Sequence, residues 1–226
     1  MLKFLFILFA AAIILSGCSS SENVYYEIPL EFLYPQKKTE FILKYQLYLI
    51  GKKIFIDPGH GGEDRRSIGP QKLTVEADAN LNVGLALRDF LKEAGVTVFM
   101  SRTTDATVDL KERSYMADSS GADIFISIHH NAPGSDSLKL IDYTSTYYHA
   151  KETDYEYEPC ERDLARFIQR DLSYAMRNSG GLGSFDGTYS DYNIYPGQGF
   201  SVLRVTKIPA ILVECGFFTN PHEERR

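Results

Sequence analysis

The chain has 226 residues, 44% of them apolar and 13% aromatic, with no Trp. That length supports one domain with its own core, and the apolar content excludes a disordered chain. Its 24 basic against 30 acidic residues give a net charge of -6, which argues against nucleic acid as a partner, and three Cys are too few for a disulfide framework or a Cys-rich zinc site.

At the N-terminus, Lys3 leads into an apolar run over residues 4–15, followed by Ser16-Gly17-Cys18. A positive start, a short apolar stretch and small residues mark residues 1–17 as a secretory signal, too short to cross a bilayer core that needs about 20 residues. Leu15-Ser16-Gly17-Cys18 resembles the lipobox of bacterial lipoproteins. The resemblance implies that Cys18 is acylated, becomes the mature N-terminus and holds the protein to a membrane, with residues 18–23 as lipidated Cys and polar tether. Several buried acyl chains are enough for that, since each CH₂ contributes about 0.8 kcal/mol. In residues 24–50, Phe41, Leu43, Tyr45, Leu47 and Leu49 alternate with more polar neighbours, the pattern of an accessory half-buried strand or linker region.

Residues 51–226 read as a catalytic domain of α/β type. Lys53-Ile54-Phe55-Ile56-Asp57 is a buried strand stopped by Pro58-Gly59. Leu81, Leu85, Leu87, Leu91 and Ala94 mark a helix over residues 76–94 that closes at Gly95. A strand follows over 96–100, then a helix over 108–119 with Leu110, Tyr115 and Met116 inward, and a buried strand over 123–128. A weak strand over 143–149, a helix carrying Leu164, Phe167, Ile168, Leu172 and Ala175, and a strand over 210–213 complete the series. Alternation at these intervals predicts a single domain with a mostly parallel, twisted, helix-covered sheet.

Three ionisable residues stand at the carboxyl ends of buried runs: His60 after Ile56, His129 after Ile128, and Glu214 after Val213. Ligands and catalytic groups gather at that edge of an open α/β sheet, and Glu76, at the start of a helix, opens on the same edge. Two imidazoles and one carboxylate suit zinc with a fourth position for water, and the remaining carboxylate suits an acid/base. Taken alone, Glu76 is a first-turn acid favoured by the helix dipole and His60 a turn residue. Glu214 is harder to explain away, because a carboxylate in a buried strand is costly without a partner or a polar cleft. His129 and His130 point to opposite faces of an extended chain, so at most one binds the metal.

Asp57-Pro58-Gly59-His60-Gly61-Gly62, Glu76-Ala77-Asp78-Ala79-Asn80-Leu81, Ser101-Arg102-Thr103-Thr104-Asp105, Ser127-Ile128-His129-His130-Asn131 and the run from Ile208 through Glu214-Cys215-Gly216-Phe217 together resemble the zinc-dependent N-acetylmuramoyl-L-alanine amidases of the family 3 type. The resemblance implies a phosphorylase/hydrolase-like fold, Zn²⁺ held by His60, Glu76 and His129, and Glu214 as the catalytic acid/base. It also implies peptidoglycan as substrate, cleaved at the amide between N-acetylmuramic acid and L-alanine. The expected partners are peptidoglycan and, through the lipid on Cys18, a membrane facing the periplasm or cell wall, with the chain acting as a monomer. A zinc peptidase acting on stem peptides and a non-catalytic wall-binding lipoprotein are the alternatives; the second predicts a lost ligand or acid/base residue, and all four are present.

Two features depart from that family. Residues 220–226 read as a helix that begins, with Asn220 as N-cap and Pro221 in the first turn, and does not continue, so the family's C-terminal helix is expected to be missing. Residues 151–158 form an acidic, Tyr-rich stretch expected to be a solvated loop. Residues 131–163 and 179–199 lack a periodic apolar helix able to block the site, so an open site is expected. Cys160 and Cys215 are left for a disulfide that export permits, with Cys215 also readable as a small buried residue.

Overall fold

A computed structural model describes residues 34–65, 67–132, 140–150, 160–176 and 187–225. The signal, Cys18, the tether and the acidic stretch over 151–158 lie outside these residues. Thirteen elements follow in chain order: α1 (Pro35–Leu49), β1 (Lys53–Pro58), α2 (Glu76–Glu93), β2 (Thr97–Met100), α3 (Leu110–Ser120), β3 (Ile124–Asn131), β4 (Ser145–Tyr148), α4 (Glu161–Met176), β5 (Thr188–Ser190), a 3₁₀ turn (Asp191–Asn193), α5 (Ser201–Val205), β6 (Ala210–Phe217) and α6 (Pro221–Arg225).

The six strands form one sheet in the order β2-β1-β3-β6-β4-β5. The four from β2 to β6 are mutually parallel, β4 runs antiparallel to β6, and β5 is parallel to β4. The expected mostly parallel sheet is therefore present, with one reversal at β6/β4. Alternate residues of the central strands feed two cores, as the period of two requires. Ile54, Ile56, Ile126, Ile128, Ile211 and Val213 pack with Leu91 of α2 and Ala165 of α4 on one face. Phe55, Phe125 and Leu212 pack with Ala117 of α3 and Leu203 of α5 on the other.

The first element corrects the strand expected within residues 24–50. Residues from Pro35 to Leu49 are helical, with Pro35 in the first turn, where a missing N–H costs nothing. Apolar side chains at 41, 42, 43, 45, 47, 48 and 49 match a period of two and a period of 3.6 equally, and the length of the run favours the helix. Ile42 is buried, Leu49 packs on the core, and Phe41 meets Phe90 of α2 with ring centroids 6.0 Å apart. Lys38 completes the seam with an ion pair to Glu93 at 2.7 Å.

The inward face of α3 also differs from expectation. Leu110 and Tyr115 are 57% and 72% exposed, while Arg113, Ser114 and Ala117 are buried and Met116 packs at the margin of the core. The reason is Asp57, which is 1% exposed on β1. It needs compensation inside the sheet, and Arg113 Nη1 donates to its Oδ1 at 2.6 Å while Ser101 Oγ and Ser127 Oγ donate at 2.6 and 2.9 Å. Satisfying that charge requires Arg113 to point inward and rotates Leu110 and Tyr115 to solvent.

At the end of the chain, α6 begins as expected, with the Asn220 side chain accepting from the His222 amide at 2.9 Å. Rather than leaving a gap, this short helix fastens the turn that precedes α2. The Glu224 carboxylate accepts from the amides of Gln71 at 2.7 Å and Leu73 at 2.8 Å, and lies where a Cβ on Gly69 would come within 2.1 Å. Among the described residues both sheet faces carry helices, α2 and α4 on one and α3 and α5 on the other.

Two stability outcomes follow. Asp57→Ala strands a buried Arg113 and lowers unfolding free energy by about 3–5 kcal/mol, measured by urea denaturation. Glu224→Ala frees the amides of a half-buried turn and costs about 1–3 kcal/mol by the same measurement.

Candidate metal centre

The site is assembled at the carboxyl edge of the parallel strands. β1 ends at Pro58 and delivers His60 in the next turn; β3 delivers His129; β6 delivers Glu214, directly paired across the ladder with His129. Glu76 is the first residue of α2, whose N-terminus opens on the same edge. His60, Glu76 and His129 each offer a ligand atom, and those atoms all lie within 4.8 Å of one another.

Glu76 is the hub. It is 4% exposed, and its Oε1 lies 3.1 Å from His60 Nε2 and 3.2 Å from His129 Nδ1. Burial pushes its carboxyl up, but hydrogen bonds to the two imidazoles outweigh that and hold it well below the usual carboxylate range. The reciprocal effect raises His60 to about 9, through its hydrogen bond to Glu76 against the opposing effect of burial. A buried carboxylate held ionised between two imidazoles marks a place built for positive charge, which a cation would supply directly.

The backbone is bent to make this possible. His60 adopts φ 58°, a left-handed conformation that costs a non-glycine residue about 1–3 kcal/mol. Two buried arginines hold the strained turn by its carbonyls. Arg102 donates to Pro58 O at 2.9 Å and Gly59 O at 2.8 Å, and Arg113 donates to Pro58 O at 2.8 Å and His60 O at 2.9 Å. Gly59 must remain a glycine, because a Cβ there would fall 2.2 Å from His129 Nε2. With that edge of the ring against Gly59, Nδ1 is the nitrogen turned to Glu76.

A second layer fixes the orientation of the imidazoles. His60 Nδ1 is 2.6 Å from Asp64 Oδ2, which favours the tautomer with its proton on Nδ1 and leaves the Nε2 lone pair for a metal. His130 turns away from the trio, with Nδ1 2.7 Å from Asn80 Oδ1. Burial pushes its pKa down to about 4, so it is neutral and donates to Asn80. Asn80 in turn donates to Gly59 O at 3.2 Å and Glu76 Oε1 at 3.4 Å. The adjacency of the two histidines had left the choice open; here His129 joins the cluster and His130 braces it. Asp64 and the bracing role of Asn80 went unread in the sequence, although Asn80 stands four residues after Glu76, one helical turn along the same face.

Glu214 has a different environment. Its Oε2 is buried and has no hydrogen-bond partner among the described residues. Burial raises the carboxyl well above its ordinary value, and the charge of Glu76 raises it further. A carboxylate in that state suits proton transfer better than tight charge pairing. The neighbouring Cys215 is a buried free thiol pushed up to about 12, by burial first and the Glu214 charge second; Cys160 is free as well, so the disulfide that export would permit is absent. Residues 133–139, 151–159 and 177–186, part of the segments expected to leave the site open, lie outside the described residues.

The donor set fits zinc on its own chemistry: two imidazoles and one carboxylate at ligand spacing, with an unpartnered acid on the adjacent strand.

Comparison with known proteins bears on the reaction. The model of the N-acetylmuramoyl-L-alanine amidase family matches residues 54–226. The germination-specific N-acetylmuramoyl-L-alanine amidase of Bacillus subtilis (strain 168) is 31% identical over 208 residues, covering 81% of this chain and 78% of the relative. The amidase LytC of the same organism is 35% identical over 172 residues, 76% of this chain but 30% of that longer protein. Among solved structures, the N-acetylmuramoyl-L-alanine amidase of Clostridium difficile 630 is similar with a TM-score of 0.65 and 32% identity, over 77% of this chain and 84% of that one. With the family model spanning most of the chain and the fold shared, this chain belongs to the N-acetylmuramoyl-L-alanine amidase family.

Proposed function

We propose that the chain hydrolyses the amide joining the lactyl group of N-acetylmuramic acid to L-alanine in peptidoglycan, with His60, Glu76 and His129 holding Zn²⁺ and Glu214 as acid/base. The observation that carries this reading is the buried, unpartnered Glu214 Oε2 on the strand position facing His129, beside three donors at ligand spacing. When bound, Zn²⁺ supplies a Lewis acid that polarises the amide carbonyl and brings the pKa of a water toward about 7. Asp64 and Asn80 keep the donors pointed, so that little reorganisation accompanies the reaction. Glu214 receives a proton from the attacking water and returns it to the amine of the departing L-alanine. Burial and the nearby Glu76 charge, which make the carboxyl hold a proton more tightly than an ordinary glutamate, favour its keeping that proton between the two transfers.

The lipobox at Cys18 supports an exported protein held to a membrane by acyl chains. Among the described residues no helix is long and apolar enough to cross a membrane. A staphylococcal relative, 31% identical over 177 residues, is named a probable cell wall amidase, which supports export to the wall.

Digestion of purified peptidoglycan, with mass analysis of the products, is expected to release stem peptides with a free L-alanine amine and to stop when a chelator is added. Products cut within the stem peptide would instead mark a peptidase. Glu214→Gln keeps its zinc, measured by elemental analysis, while the rate falls about 10²–10⁴-fold; His60→Ala loses the metal. Radiolabelled palmitate enters the wild-type chain in a bacterial host and fails to enter Cys18→Ala.

A further inference from the structure

The helix α1 presents an apolar stripe to solvent. Leu43 and Leu47 are 60% and 84% exposed one turn apart, and Ile50, just past the helix end, is 61% exposed on the same side. Tyr48, at 73%, adds an aromatic ring with a polar tip. These are not scattered surface residues, since the opposite side of the same helix carries Ile42, Leu49 and Phe41 into contact with the domain. The helix thus has two apolar sides, and among the described residues only one packs against the domain. Between them lie Lys44 and Lys37, the latter paired with Glu40 at 2.7 Å, and Lys52 and Lys53 follow at the end; Glu40 is the single acid in the same stretch. On a chain of net charge -6 this is a locally basic segment.

Its place in the fold is specific. Lys38 pairs with Glu93, Phe41 meets Phe90, and the Gly51 amide donates to Gly95 O at 3.2 Å. All three contacts fall at the far end of α2, and Glu76 of the metal centre is at its start. An 18-residue helix separates the two ends by about 25 Å. α1 therefore sits at the end of α2 remote from the metal centre.

We infer that the Leu43, Leu47 and Ile50 face of α1 rests in the headgroup region of an anionic phospholipid bilayer, with the metal centre held at the other end of α2. The inference rests on the proposed anchoring at Cys18. From Cys18 to Pro35 the chain spans at most about 60 Å when fully extended, which keeps α1, the first described element after the lipid, within reach of the surface that holds it. An apolar stripe flanked by lysines and a tyrosine is the composition of a helix that lies in the interface plane, where lysines meet anionic headgroups and leucines enter the acyl boundary. The lipid attachment and the protein face reinforce each other, because once the acyl chains are inserted the second contact is made intramolecularly.

The test places the photoreactive residue benzoylphenylalanine at position 47, or at position 115 on the exposed side of α3, in the full chain expressed in a bacterial host. After irradiation, mass analysis is expected to find phospholipid adducts at position 47 and none at position 115. Adducts to a second copy of the chain or to another protein at position 47, or equal lipid labelling at both positions, overturn the inference. Palmitate incorporation at Cys18, read in the same cells, judges the anchor separately: lipid adducts without palmitate leave the bilayer face standing and remove the anchor, and palmitate without adducts does the reverse. A Leu43→Ser/Leu47→Ser double variant carrying the probe at position 50 is expected to lose most of its lipid adducts while keeping its melting temperature and chelator-sensitive hydrolysis of soluble peptidoglycan fragments. Unchanged adducts in that variant also overturn the inference.

Discussion

Two arginines bound to three consecutive carbonyl oxygens set the geometry of this protein. Arg102 and Arg113 between them take the carbonyls of Pro58, Gly59 and His60, and Arg113 is neutralised by Asp57 one step further back. A left-handed histidine has no reason to persist on its own. It persists because straightening the turn would break four hydrogen bonds from the two buried guanidinium groups to its carbonyls, a larger loss than the local strain. The inward face of α3, set by Asp57 through Arg113, and the placement of His60 belong to this one arrangement.

The metal centre adds a second constraint of opposite sign. Glu76 remains ionised in a place that burial alone would make neutral, since two imidazoles face it. Glu214, on the neighbouring ladder position, lacks such partners and responds to the same burial by holding its proton more tightly. The two carboxyls differ in character because their neighbours differ, and this allows one fold edge to carry both a ligand and a proton carrier. The turn leading to Glu76 is secured from the last turn of the chain through Glu224, so the ligand set depends on residues far from it in sequence.

Much of this could be read from the sequence. The sheet was legible because its central strands are short apolar runs ended by Pro, Gly or His, and the ligands because they stand directly after those runs. The first helix was misread because its apolar residues satisfy two periods at once, and which face is covered depends on Phe90 and Glu93, which only the fold brings near. The burial of Arg113 was hidden for a similar reason: helical periodicity ranks Leu and Tyr as inward, and the rule is overridden by one buried carboxylate that lies 56 residues away. Asp64 and Asn80 carry no periodic signal at all; their meaning comes from the nitrogen atoms they face.

The reversal of direction between β6 and β4 has a consequence for how the edge of the cleft is built. Because β4 is antiparallel, it starts beside Glu214, with Ser145 paired to it, so the chain both leaves β3 and enters β4 at the edge where the cleft lies. The intervening connection is pinned at its two ends by the sheet, with Asn220 holding Ile141 O and Tyr143 stacked edge-on to Phe217 at 4.6 Å. The edge of the cleft is thus built where two strands meet in opposite directions, each with its register fixed by pairing to β6 rather than by the chain that joins them.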